Sequence, residues 1–132
     1  MTIHLTIKGC PRTKKNSSQI VKIQGRSRLI PSKPYREYEK LFLAQVPERY
    51  KLHLNLPQTV KCLYYMETHR IVDIAGLEQA TYDILVRAGV LQDDNSRIIA
   101  SQDGSRVLYD KENPRVEISI IPMAQSVGEQ GE

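Results

Sequence analysis

Several residue types that mark particular classes of protein are scarce in this 132-residue chain. Tryptophan is absent, phenylalanine occurs once and cysteine twice, whereas tyrosine occurs seven times. The cysteines, Cys10 and Cys62, lie far apart and neither belongs to a CxxC pair, so no zinc or thioredoxin-like motif is supported. We expect two buried, reduced thiols. Tyrosine combines an aromatic ring with a polar hydroxyl, a combination that is common at interfaces, although protein cores use tyrosine too.

Long apolar runs are missing as well. No stretch approaches the length of a membrane span, and the N-terminus lacks the apolar region of a signal peptide. A cytoplasmic protein without a membrane partner is therefore expected. No Ser/His/Asp or Cys/His arrangement and no glycine-rich phosphate loop stands out, so we expect no nucleotide cofactor. The three histidines, His4, His53 and His69, form no ligand pattern.

Positive charge is concentrated at the start of the chain, whose overall net charge is +4. Residues 1–40 carry ten Lys or Arg against two acids, and the remaining residues carry nine basic and thirteen acidic groups. A basic first third is typical of a polyanion-binding segment on a domain that also holds carboxylates. The alternative is a solvated basic surface with no partner.

Residue periodicity predicts one α+β domain over residues 1–122, with two main helices packed on one mixed sheet in the order β-α-β-α-β-β. Residues 123–132 form a polar tail that we expect to be frayed. Residues 11–32 form a long basic loop, with a possible ribbon at Ile20–Ile23 and Arg28–Ile30 around Gly25. One helix begins at Ser32 and ends before Pro47; the other begins at Asp73 and ends at Gly89. Strands are predicted at 2–8, 58–66, 96–101, 106–109 and 116–120.

Acidic residues cluster around the second predicted helix. Asp73 lies at its start, Asp83 within it, and Asp93 and Asp94 follow the turn at Gly89. A strand beside the helix start would bring Asp94 close to Asp73. Carboxylates with a divalent metal are the usual equipment for hydrolysing a phosphodiester, and Mg²⁺ keeps several waters, so two or three carboxylates suffice. Each aspartate also has an ordinary explanation as a helix cap, a solvated residue or a polar turn.

The segment His69–Leu85, followed by Ala88–Ser96, resembles the RusA family of Holliday junction-resolving endonucleases. In that family a basic patch precedes an Asp-x-Asp-Asn-x-x-Lys helix, which is followed by Asp-x-Leu and a glycine-containing turn into Asp-Asp and a strand. The residues on matching positions are Arg70, Asp73, Asp83, Leu85, Gly89, Asp93 and Asp94. The first strand, Pro11 and the Lys14–Ser17 segment resemble the opening of the family, and the likeness covers roughly residues 2–121.

The resemblance implies a homodimeric, Mg²⁺-dependent endonuclease acting on four-way DNA junctions, in a phage or prophage setting, with Mn²⁺ as a possible substitute. It implies that Asp73 and Asp94 are catalytic and hold the metal, with Asp93 in support. Contacts to DNA phosphates are expected from Arg12, Lys14, Lys15, Asn16, Ser17 and Arg70.

Three positions depart from the family pattern. Ala75 replaces the second aspartate, Gly76 the asparagine and Gln79 the lysine. Positions 75, 79 and 83 form one stripe along the helix, so a ligand carboxylate and a cationic group are missing from it. Glu78 lies about 60° around the helix from position 75 and substitutes only if the helix start shifts. The main alternative is therefore a junction-binding protein that does not cut, and a more distant one is a structural module without DNA.

Overall fold

The computed structural model describes residues 2–14 and 18–123 of the chain. The predicted contacts at Lys15, Asn16 and Ser17 lie outside these residues, as does the predicted tail from residue 124 onward. The strands are β1 (Ile3–Lys8), β2 (Ser18–Ile23), β3 (Arg26–Pro31), β4 (Gln58–Met66), β5 (Ile99–Ser101), β6 (Arg106–Tyr109) and β7 (Arg115–Pro122). The helices are α1 (Lys33–Gln45) and α2 (Ile74–Arg87), with a short 3-10 helix at Glu48–Tyr50.

The main sheet is mixed and confirms the predicted α+β class. Its order is β1-β7-β4, and β5 and β6 both pair with the far side of β4. The β1–β7 and β7–β4 pairs are antiparallel, whereas β4 runs parallel to β5 and β6. The predicted ribbon is also present: β2 and β3 form a separate hairpin. Its turn is Gln24-Gly25, where both residues have positive φ, as a two-residue hairpin turn requires.

One face of the sheet is buried because the alternating apolar residues of β1, β7 and β4 coincide in register. The buried side chains form three rows across these strands: Ile3, Ile120 and Val60; Leu5, Ile118 and Cys62; Ile7, Val116 and Tyr64. Both helices contribute buried side chains to the same core. The result is a two-layer domain in which the helices cover one face of the sheet.

Helix α1 contributes an aromatic stripe to this core. Tyr35, Tyr38 and Phe42 are buried, and the rings of Tyr38 and Phe42 meet edge to face with centroids 6.1 Å apart. Tyr64 and Tyr82 are buried as well. More than half of the seven tyrosines therefore serve the core. Cys62 is buried and Cys10 is half-buried, and both thiols are free.

Helix α2 begins and ends at the predicted residues. Asp73 is its N-cap, and the Asp73 carboxylate accepts the Ala75 N–H at 3.2 Å. Gly89 has a φ of +84°, which lets the chain leave the helix in the left-handed conformation that favours glycine. The predicted strand at 96–101 is shorter than expected, since β5 begins at Ile99. Neither helix in the described ranges is long and apolar enough to cross a membrane.

Truncating Phe42 tests the core. Phe42 is fully buried, so Phe42→Ala should lower the free energy of unfolding by about 3–5 kcal/mol. Lys40→Ala, on the exposed side of the same helix, should change it by no more than about 0.5 kcal/mol. Chemical denaturation measures both, and equal effects would contradict the packing of α1.

Candidate functional site

The first turn of α2 carries Asp73 at the surface. The cap bond uses Asp73 Oδ1. Thr13 packs against the same turn, since a methyl group added at Gly76 would lie 3.2 Å from Thr13 Cγ2 and 3.3 Å from Asp73 Oδ2. Both distances are tighter than ordinary van der Waals contact, so glycine at position 76 permits the close approach of Thr13. The chain leaving β1 therefore lies directly beside the Asp73 carboxylate.

The stripe formed by positions 75, 79 and 83 carries a connected polar cluster. The Gln79 side-chain amide donates to Asp83 Oδ1 at 3.0 Å and to Asp94 Oδ2 at 3.3 Å. Lys14 Nζ donates to Asp83 Oδ2 at 2.7 Å. Three separate segments thus meet on the exposed side of α2: the chain after β1, the helix itself and the turn that follows it.

Backbone hydrogen bonds around the end of α2 bring Asp94 to this cluster. His53 N–H donates to Gly89 O at 2.8 Å and Leu54 N–H to Val90 O at 2.9 Å, and Gln92 N–H donates back to Leu54 O at 2.9 Å. The segment after Gly89 is therefore paired with residues 53–54 before it reaches Asp94. The chain then turns at Asn95, whose side-chain oxygen accepts Arg97 N–H at 2.9 Å, and enters β5.

Asp93 stabilises this turn. Asp93 Oδ1 accepts Asp94 N–H at 2.8 Å, and Asp93 Oδ2 accepts the Asn95 amide at 3.2 Å. Within residues 2–14 and 18–123, no group of three or more His, Cys, Asp or Glu side chains is placed to hold a metal ion. The carboxylate chemistry of Asp73 and Asp94 fits a hard cation such as Mg²⁺, but the expected third carboxylate is used by the turn. The pairing of Asp73 with Asp94 stays a prediction.

Glu78 does not join this cluster, because it is buried on another side of α2. Glu78 is only 6% exposed. With the Gln102 amide turned so that its nitrogen faces the carboxylate, the amide donates to Glu78 Oε1 at 3.0 Å and to Oε2 at 3.2 Å. Burial raises the pKa of the Glu78 carboxyl, and a hydrogen bond with Ser105 opposes this shift. Glu78 could replace the missing aspartate only if the helix began at a different residue. The helix starts at Ile74 as predicted, so Glu78 does not take that place.

Two of the predicted DNA-binding residues share one groove. Arg12 and Arg70 line a cavity of about 350 Å³, which Thr13 and Val72 also line. One acidic residue, Glu67, lies among the lining residues. Lys14 points elsewhere, to Asp83, and the side chains of this ion pair are 44% and 31% exposed. At that exposure the pair stabilises the fold by at most about 1 kcal/mol, so its main effect is to hold the chain after β1 against α2.

Thr13 is the site residue that sequence reasoning missed. It is 9% exposed, it lines the arginine groove, and it touches the start of α2. Nothing in its spacing distinguishes it from other polar residues of a basic segment. The contact depends on how β1 lies relative to α2.

Comparison of the chain with protein-family models and with curated proteins finds no match. The resemblance to junction resolvases therefore rests on the residues quoted above.

The buried Glu78 carboxyl predicts a specific pH dependence of stability. Because its pKa in the folded protein lies above the ordinary value of 4.5, the contribution of Glu78 to stability is most favourable below pH 4.5 and is lost as pH rises through the raised pKa. Glu78→Gln should remove this decline. Thermal unfolding between pH 4 and 8 compares the two proteins, with Glu37→Gln on the exposed side of α1 as the control. A decline that persists in Glu78→Gln would show that another group causes it.

Proposed function

We propose that this protein binds branched DNA, with four-way junctions as the substrate, and hydrolyses phosphodiester bonds there with a divalent metal. The observation that carries the proposal is the continuity between two features. The groove lined by Arg12 and Arg70 includes Thr13, and Thr13 lies against the start of α2 beside Asp73. A phosphate in the groove would therefore lie near the end of α2 that presents the Asp73 carboxylate. A cytoplasmic location belongs to the same proposal.

The arginines support DNA binding. Guanidinium groups match phosphate oxygens in geometry and charge, and such contacts position DNA without reading its sequence. The groove brings together two arginines separated by 57 intervening residues. The basic first third of the chain contributes Arg12 to the groove, and Arg70, which follows β4, contributes the second arginine.

Asp73 and Asp94 would hold the metal ion, with Mg²⁺ as the preferred ion and Mn²⁺ as a substitute. A bound divalent ion supplies Lewis-acid stabilisation of the phosphate and a water of lowered pKa. The chain's own groups do the positioning. The Gln79 amide donates to the Asp94 carboxylate and the Ala75 N–H donates to Asp73 Oδ1, so both carboxylates are oriented before DNA arrives.

A homodimer belongs to this proposal. Two symmetric cuts across a junction with two-fold symmetry require two sites related by a two-fold axis. The candidate carboxylates of one chain lie on α2 and the turn after it, and make a single site in this proposal. A second copy would therefore supply the second site.

A second candidate function is junction binding without cleavage. It is favoured by the donors that surround the carboxylates. The Lys14 ammonium and the Gln79 amide already donate to Asp83 and Asp94, which reduces the repulsion that would otherwise favour a metal cation. Ala75 adds no carboxylate to the stripe. Metal-dependent cutting distinguishes the two candidates, because both predict binding.

A cleavage assay tests the proposal directly. Labelled four-way junction and matched linear duplex are incubated with protein and Mg²⁺, Mn²⁺ or EDTA. We expect paired nicks in the junction alone, absent in EDTA, with Asp94→Asn reducing the rate at least about a hundredfold while DNA affinity is kept. Asp103→Asn, in an exposed turn outside the cluster, serves as the control.

Three outcomes of this assay carry distinct meanings. Unchanged cleavage by Asp94→Asn would remove Asp94 from the site. Tight binding without cutting in either metal would establish the second candidate. In a parallel binding titration at increasing salt, absence of any salt-dependent junction affinity would exclude phosphate contacts and favour a structural module without a DNA role.

Restoring two of the three departing positions of the family pattern should increase cleavage. In Ala75→Asp/Gln79→Lys the new carboxylate lies in the first turn of α2, where the helix dipole stabilises negative charge. The new ammonium replaces an amide that already reaches Asp83 and Asp94. We expect a rate increase of about tenfold or more over the unchanged protein. Ala75→Asn/Gln79→Met, which adds no charge at either position, is the matched control, and equal rates in the two double variants would contradict the proposed geometry.

A further inference from the structure

Ile71 is fully exposed to solvent at the edge of the arginine groove. Ile71 is 103% exposed, the highest value among the large apolar residues in the described part of the chain. It lines the groove together with Arg70 and Arg12. Full exposure of an isoleucine leaves its apolar surface in water, so covering it is favourable by the hydrophobic effect. Its place between β4 and α2 therefore offers a ready contact for an apolar surface.

His69, two residues before this isoleucine in the chain, stacks on Tyr109. The rings of His69 and Tyr109 are 3.8 Å apart and inclined by 22°. Tyr109 is 43% exposed. The pairing of β4 with β6 explains the stack, because Met66 lies opposite Tyr109 and accepts the Asp110 N–H at 2.9 Å. The chain leaving β4 thus crosses the end of β6 and places His69 on the tyrosine ring.

We propose that Ile71 and the His69–Tyr109 pair form a contact site for DNA bases that are unstacked at a branch point. This inference rests on the proposed function and adds to it how a branch is distinguished from a continuous duplex. Apolar side chains inserted at a base step unstack it, and exposed bases stack on aromatic rings. In a continuous duplex each base is covered by its neighbours, whereas the arms of a junction end at the branch.

The charge around the site favours nucleic acid over a second copy of this chain. Arg12 and Arg70 line the groove against a single acid, Glu67. Two copies meeting through this face would bring like-charged arginines together, whereas DNA brings phosphates to them. The guanidinium groups would hold the DNA backbone in the groove that Ile71 also lines.

Fluorescence of 2-aminopurine tests the site. The base is placed at the branch of a four-way junction or in the interior of a linear duplex, and protein is added in EDTA so that no cutting occurs. We expect the fluorescence to rise on the junction alone, and most of that rise to be lost in Ile71→Ala. Tyr109→Ala should raise the Kd for the junction about tenfold, whereas Tyr109→Phe, which keeps the ring, should bind as the unchanged protein does.

Leu56→Ala is the matched control, because Leu56 is an apolar residue 61% exposed outside this groove. Junction binding without a fluorescence rise, or an equal rise in Ile71→Ala, would overturn the inference and leave the proposed DNA binding standing. Absence of DNA binding would overturn both. A change in the oligomeric state of Ile71→Ala in sedimentation, with fluorescence unaltered, would assign the surface to a second copy and also overturn the inference.

Discussion

A buried hydrogen bond between β4 and α2 decides which side of the helix reaches solvent. Thr81 Oγ1 donates to Leu77 O at 2.8 Å, so the Tyr64 hydroxyl, 2.9 Å from Thr81 Oγ1, is the donor to it. Leu77 and Ile84 are buried on either side of Thr81. With this face against the sheet, Gln79 and Asp83 lie on the solvent side. The candidate site depends on this rotation, because a turn of the helix would bury the stripe.

The same rotation explains why two nearby acids on α2 differ in their surroundings. Asp83 is half-exposed and bonded to Lys14 and Gln79, whereas Glu78 faces Gln102 and Ser105 in a buried setting that raises its carboxyl pKa. Burial away from water favours the neutral form of a carboxyl, and the hydrogen bond with Ser105 only partly offsets this effect at Glu78. Asp83 and Asp94, by contrast, receive a cationic and an amide donor at the surface. Glu78 therefore affects the stability of the fold, whereas Asp83 and Asp94 lie at the surface.

The arginine groove reaches the start of α2, because Thr13 lines the groove and also lies against Gly76, next to Asp73. This continuity gives the proposed DNA path a direction, from the arginines toward Asp73. The exposed Ile71 lines the groove end of the path, and His69 of the stacked pair is two residues away from it in the chain. In the proposed function, binding and branch recognition use different residues from cleavage, so the same surface would serve a junction-binding protein that does not cut.

Local features of this protein follow from its sequence alone. The limits of α2 at Asp73 and Gly89, the extent of β4 and the hairpin around Gly25 depend on residues close in the chain, and periodicity and turn chemistry specify them. The α+β class follows from their order. Strand order and register are different, because contacts between distant segments depend on how the whole sheet assembles. Only the tertiary structure could place Lys14 on Asp83, Gln79 against Asp94 and Glu78 in the interior. The tertiary structure also shows that Asp93 hydrogen-bonds within its own turn and that Arg12 and Arg70 line the same groove. Packing between elements fixes these positions, and spacing along the chain does not.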